Sequence, residues 1–185
     1  MKLIRRTEVQ ADGTDIPNIG DQLVIELEGL GRFTATAQGH DQGGTWFIFD
    51  DCVARRKMNE RYTNIGGYEN SDLSKWIKDE LLKKFPEEIK VRIMEISIPT
   101  YGQIFGHDEF YQKYIEPDDD EQFLLMKERK NAIACYDNET AWYWLKNATK
   151  RSVSSGSFAC VYGVGYAAYD GAGLPCGVRP AFLFV

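Results

Sequence analysis

Any chemistry in this chain would have to come from a short list of side chains: four cysteines, two histidines, one acidic run and one hydroxyl-rich segment. Cys52, Cys135, Cys160 and Cys176 contain no C-x-x-C pair and no metal-ligand spacing, and His40 and His107 are too few to complete a zinc set. The cysteines read as reduced, largely buried thiols. Glu116 to Glu121 offers five carboxylates, and calcium takes about six to eight oxygens. An isolated acidic run is nonetheless more often a solvated loop, so no metal is assigned. Ser154-Ser155-Gly156-Ser157 lacks the flanking glycines of a G-x-S-x-G nucleophile turn, and neither histidine lies in a triad motif. Gly163-Val164-Gly165-Tyr166 is not G-x-G-x-x-G and has no strand-then-helix context. A carboxylate pair for glycoside hydrolysis depends on a separation that only three dimensions supply. The expectation is a non-catalytic protein without a cofactor.

The hydroxyl-rich segment, Thr149 to Gly173, is the feature with a chemical character of its own. It carries Ser154, Ser155, Tyr162, Tyr166, Tyr169 and Asp170 among many glycines. Tyrosine supplies contact area at low entropy cost, while serine and glycine adapt, so these six residues are the candidate ligand contacts. Small residues between Tyr162, Tyr166 and Tyr169 leave the rings prominent, able to stack on a sugar or fill a partner's pocket. Tyr162 also continues the strand pattern of Phe158 and Cys160, which would turn it toward the scaffold. Before the segment, Trp142, Trp144 and Leu145 form an apolar block that reads as structural; after it, Val178, Ala181, Leu183 and Val185 alternate with their neighbours.

Composition limits the partners. The 185 residues are 43% hydrophobic and 13% aromatic, enough for one folded domain. A net charge of −6 leaves no basic stripe for nucleic acid. The N-terminus lacks the apolar core of a signal peptide, and no window reaches the length of a membrane span. The expected partner is a protein or glycan ligand, with no membrane insertion, in the cytoplasm or on a virion; the oligomeric state stays open.

These residues need a scaffold. Residues 1–18 read as a lead-in, with a turn at Asp12-Gly13, and residues 19–185 as one domain. Leu23, Ile25 and Leu27, then Phe33, Ala35 and Ala37, alternate as a β-hairpin. Trp46 to Phe49 is apolar on both faces and predicts a central strand. Leu73, Trp76, Ile77, Leu81 and Phe85 recur at helical spacing after a cap at Asn70 or Ser71, and Pro86 ends that helix. A shorter helix is expected from Glu87 to Met94, a long loop over 100–120, a strand at Phe123–Met126 and a loop over 127–140. Three more strands are expected at Trp142–Leu145, Ser157–Tyr162 and Gly177–Leu183. The fold class is α+β.

The order G-Y-x-N-S-D-L, F-L-L-M, W-Y-W-L-K and G-V-R-P-A-F resembles a bacterial and phage domain family of unknown function, common in gut Firmicutes. That family is similar to the C-type-lectin-like superfamily, alongside formylglycine-generating enzymes and the variable proteins of diversity-generating retroelements. The resemblance implies a single compact C-type-lectin-like domain with short mixed or antiparallel sheets and two helices. It implies a ligand-facing surface built from C-terminal strands and loops, with residues 149–174 in the place of the diversified positions. Arg179 matches the family's G-V-R-P and is expected to clamp backbone carbonyls or a carboxylate. Ser74, Lys78, Met126 and Lys146 depart from the usual pattern. Copper catalysis of the formylglycine type needs two adjacent thiolates, and Cys160 and Cys176 stand sixteen residues apart. Glu116-Pro117-Asp118 resembles a lectin calcium tripeptide, but the Trp-Asn-Asp stretch that completes such sites is absent. The resulting expectation is a binding module; the competing ones are an assembly component of a phage particle or bacterial surface complex and, behind it, an unrecognised enzyme.

Overall fold

The computed structural model describes residues 16–41 and 43–185. Residues 1–15, with the turn expected at Asp12-Gly13, lie outside the described residues. The strands are β1 (Gln22–Leu27), β2 (Gly31–Asp41), β3 (Gly44–Phe49), β4 (Ala54–Lys57), β5 (Ile93–Ser97) and β6 (Ala134–Tyr136). They continue with β7 (Glu139–Ala141), β8 (Tyr143–Ala148), β9 (Ser157–Val161), β10 (Ala167–Gly171), β11 (Pro175–Val178) and β12 (Ala181–Phe184). Among the described residues four short α-helices accompany them: α1 (Asp72–Trp76), α2 (Glu87–Lys90), α3 (Tyr101–Phe105) and α4 (Glu109–Tyr114). The architecture is α+β.

One antiparallel sheet has the order β1-β2-β3-β12-β5, and a second, mixed sheet has the order β10-β9-β8-β11-β4. Among the described residues, β8 and β11 are the parallel neighbours in these sheets. β3 is buried along its whole length at the centre of the first sheet, as its two-sided apolar run predicts. Its alternation divides the interior. Phe47 and Phe49 enter one core with Phe182, Phe85 and Trp144, while Trp46 and Ile48 enter the other with Tyr101, Tyr143 and Leu183. In the first core the Phe47 and Phe182 rings stack at 5.5 Å and Phe85 meets Phe49 edge-on at 5.9 Å.

Several expected elements differ. The helix predicted over 71–85 is capped by Ser71, whose side chain accepts from the Ser74 amide, but it is not uniform. After α1 the chain widens into a π-turn over Ile77–Leu81, then tightens into a 3-10 turn over Leu82–Lys84. The second predicted helix spans only Glu87–Lys90. The 100–120 stretch is not a loop: Thr100 and Gln103 form a reciprocal capping box on α3, and Asp108 caps α4. Helices of five and six residues carry too few turns for a periodicity signal. Phe123–Met126 is no strand; Leu124–Lys127 forms a 3-10 turn, with Phe123 lying over Gly39. The 127–140 stretch contains a further 3-10 turn and the β6–β7 hairpin, whose tip residues Asp137 and Asn138 adopt φ of 52° and 65°. The single strand expected over 177–183 is two, because Arg179-Pro180 carries the chain from the second sheet into the first.

Candidate functional site

The candidate contacts of residues 149–174 do not form one patch. The segment is the approach to β9, the β9–β10 hairpin and the turn into β11. Asn64 pins its start, donating through Nδ2 to the carbonyls of Thr149 (3.2 Å), Ser154 (3.0 Å) and Ser157 (3.1 Å). Ser154 turns inward: its Oγ lies 2.9 Å from Ser157 Oγ and accepts from the Gly156 amide. Ser155 is exposed on the rim of a groove of about 640 Å³. That groove's walls are largely bonded to one another. Lys146 Nζ lies 3.3 Å from Glu95 and 3.7 Å from Glu69, and Asn147 donates to the Glu116 carbonyl and to Asp118. Asp118 also accepts from the Gly102 and Asp120 amides, so its carboxylate serves the strap over 115–120 rather than a ligand.

The hairpin sorts the remaining four residues. A tight turn joins its strands, with the Tyr162 amide donating to the Tyr166 carbonyl and the Gly165 amide to the Tyr162 carbonyl, both at 2.7 Å. Gly165 has φ of +81°, and an added Cβ would lie 2.9 Å from the Arg129 carbonyl oxygen, so the turn needs glycine there. Register then alternates. Ala167 and Tyr169 oppose Val161 and Ala159, whereas Ala168 and Asp170 oppose Cys160 and Phe158. Tyr169 and Asp170 therefore leave β10 on opposite faces.

Tyr169, 40% exposed, stands on the first face, and Tyr166, 54% exposed, in the turn before β10; Phe110 adjoins both. Tyr169 lies 6.2 Å from Phe110 and 5.9 Å from Tyr114 between ring centroids. Phe110 lines a hollow of about 350 Å³ with Phe105, Arg129 and Tyr166. Arg129 donates to the Tyr166 hydroxyl, and its guanidinium carbon sits 4.5 Å from the ring centroid. Phe110, Tyr114 and Arg129 come from stretches read as loop; the Phe110–Tyr114 spacing of four was the available helical signal. On the other side of the hairpin tip Tyr162 meets Trp142 edge-on at 4.2 Å.

Of the residues assigned to structure, Trp144 is fully buried and donates through Nε1 to the Arg56 carbonyl at 2.9 Å. Trp142 is instead 39% exposed, because it precedes β8, both of whose faces are covered. Arg179 is buried and donates to the carbonyls of Phe49 (2.7 Å) and Asn131 (3.1 Å) and to Tyr143 Oη (3.0 Å). Burial pushes the Cys52 and Cys176 thiols up to about 12 and raises Cys160 for the same reason. Thiols held protonated are poor nucleophiles and poor metal ligands. Among the described residues no three His, Cys, Asp or Glu side chains gather as a metal set, and no helix is long and apolar enough to cross a membrane.

Residues 43–184, from the turn before β3 to the end of β12, match the family model of a domain of unknown function, DUF6273. The chain belongs to that family. No curated protein and no solved structure matches it. The matched span of this DUF6273 domain holds the aromatic surface, the groove beside Lys146 and the Arg179 clamp, while β1 and β2 lie outside it.

Proposed function

We propose that this DUF6273 domain is a non-catalytic binding module of C-type-lectin-like fold, acting in the cytoplasm or on a virion. Its protein or glycan ligand sits on the aromatic surface of Tyr166, Phe110 and Tyr169. The observation that carries this reading is that exposed Tyr166 and the α4 residue Phe110 line one hollow, with exposed Tyr169 beside Phe110 at 6.2 Å. Exposed rings held by neighbours lose little entropy on binding and serve as anchors in a partner's pocket or against a sugar face. The larger groove fits less well, since Lys146, Asn147 and Asp118 spend their hydrogen-bonding capacity on the protein itself. The fold assignment and the association with phage or retroelement-diversified proteins rest on the motif order from G-Y-x-N-S-D-L to G-V-R-P-A-F.

The test is binding of labelled protein to intact bacterial cells and an isolated cell-wall panel, with and without calcium. A Tyr166→Ala/Tyr169→Ala variant runs alongside. Binding by the wild type that the variant loses while remaining folded supports the reading. Binding that both proteins share moves the ligand elsewhere. Self-association of the wild type that the variant abolishes assigns the surface to assembly instead.

A further inference from the structure

The face of β10 that carries Asp170 borders a second hollow, of about 390 Å³, between β4, the β6–β7 hairpin and the start of β11. Its walls combine two aromatic rings, Trp142 and Tyr136, with Arg55, Asp170, Glu139 and Thr140. Trp142 is the exposed one among the four tryptophans, and Tyr162 braces it from one side. The polar groups retain unused capacity. Arg55 makes one long bond, 3.4 Å to the Pro175 carbonyl, although a guanidinium offers five N–H donors. Asp170 accepts from the Gly171 amide through one oxygen, leaving the other. Among the described residues no hydrogen bond or ion pair joins Arg55, Asp170 and Glu139 to one another.

A ligand that satisfies this wall must donate and accept over short distances and offer an apolar face to the rings. Sugar hydroxyls do both, and the C–H face of a pyranose stacks on indole and phenol. Arg55, Asp170 and Glu139 together carry one net negative charge, which works against phosphate or carboxylate ligands. The volume suits a small ligand rather than a protein surface. We infer that this hollow is a binding site for a neutral saccharide, with Trp142 and Tyr136 stacking, Arg55 donating and Asp170 accepting. The site is separate from the Tyr166–Tyr169 surface and stands without it.

The probe is an array of immobilised neutral oligosaccharides of glucose, galactose, mannose and N-acetylglucosamine, in α and β linkage, with acidic oligosaccharides as a comparison arm. Bound sugars are then titrated in solution, reading tryptophan emission. The expected result is saturable binding of a neutral sugar with a shift in Trp142 emission. Arg55→Gln at an exposed position and Asp170→Asn at a half-buried one should each weaken it by about tenfold or more, the worth of one charge-assisted hydrogen bond. Tyr166→Ala/Tyr169→Ala should leave the affinity unchanged, which separates this site from the proposed aromatic one. Retention of no neutral sugar, binding of acidic sugars alone, or equal binding by Arg55→Gln and Asp170→Asn overturns the inference.

Discussion

Arg179 Nε donates to the Phe49 carbonyl at 2.7 Å, joining the end of β3 to the point where the chain crosses between sheets. The same guanidinium reaches Asn131 O and Tyr143 Oη, so one planar cation holds the first sheet, β8 and a 3-10 turn together. Lysine has a charge but no fork, and cannot meet these three acceptors in their plane. Arg179→Lys should therefore destabilise the domain by about 1.5–3 kcal/mol for each charge-assisted bond it loses. Urea unfolding should show a lower midpoint with an unchanged slope.

Exposure separates the hairpin tyrosines from the buried Trp144. Tyr166→Ala/Tyr169→Ala removes rings that are about half in water, and the thermal midpoint should stay close to wild type. Trp144→Ala empties a fully buried site and strands the Arg56 carbonyl. Its cost should be about 3–5 kcal/mol. Parallel thermal melts decide the point: a large loss in the tyrosine variant would show that those rings are core.

Gly102 lies in α3 directly beneath the strap over 115–120. A methyl group there would come 2.2 Å from Asp118 Oδ1 and 2.4 Å from the Asp120 carbonyl. Gly102→Ala should displace the strap and destabilise the domain by about 1–3 kcal/mol, the usual cost of overpacking. Limited proteolysis should show new cleavage between Glu116 and Glu121. Asp118→Ala should open the same strap by removing the acceptor for the Gly102 and Asn147 donors.

The buried thiols make stability depend on alkaline pH. Cys52 and Cys176 remain protonated in the fold up to about 12, against an ordinary value of 9.0. Between those values the unfolded chain releases protons that the folded chain keeps. Stability is thus complete below pH 9 and falls as pH rises toward 12, by about 1.4 kcal/mol per pH unit for each such thiol. Urea midpoints should decline from pH 8 to pH 11. At pH 8 a thiol reagent should modify half-buried Cys135 before Cys52, Cys160 and Cys176.

Local pattern determined much of this protein. Alternation in Leu23–Leu27 set β1, the two-sided apolar run Trp46–Phe49 set a central strand, and Ser71 with Leu73, Trp76 and Ile77 set a capped helical turn. Those features depend on side chains two to four residues apart, which a sequence displays directly. The short helices at 101–114 and the Asp137-Asn138 hairpin were carried by caps and turn residues that give weaker signals. The tyrosine-rich segment was visible as a composition, but its division was not. Tyr169 meets Phe110 and Tyr114 while Asp170 borders Arg55 and Trp142, because the register of β10 against β9 sends neighbouring residues to opposite faces; Tyr166 reaches the Phe110 hollow from the turn before β10. Which distant residues meet each face follows from sheet order and from the Arg179 crossover. The β3–β12, β4–β11 and Arg179–Phe49 contacts that fix them join residues more than a hundred positions apart, where no local spacing records them.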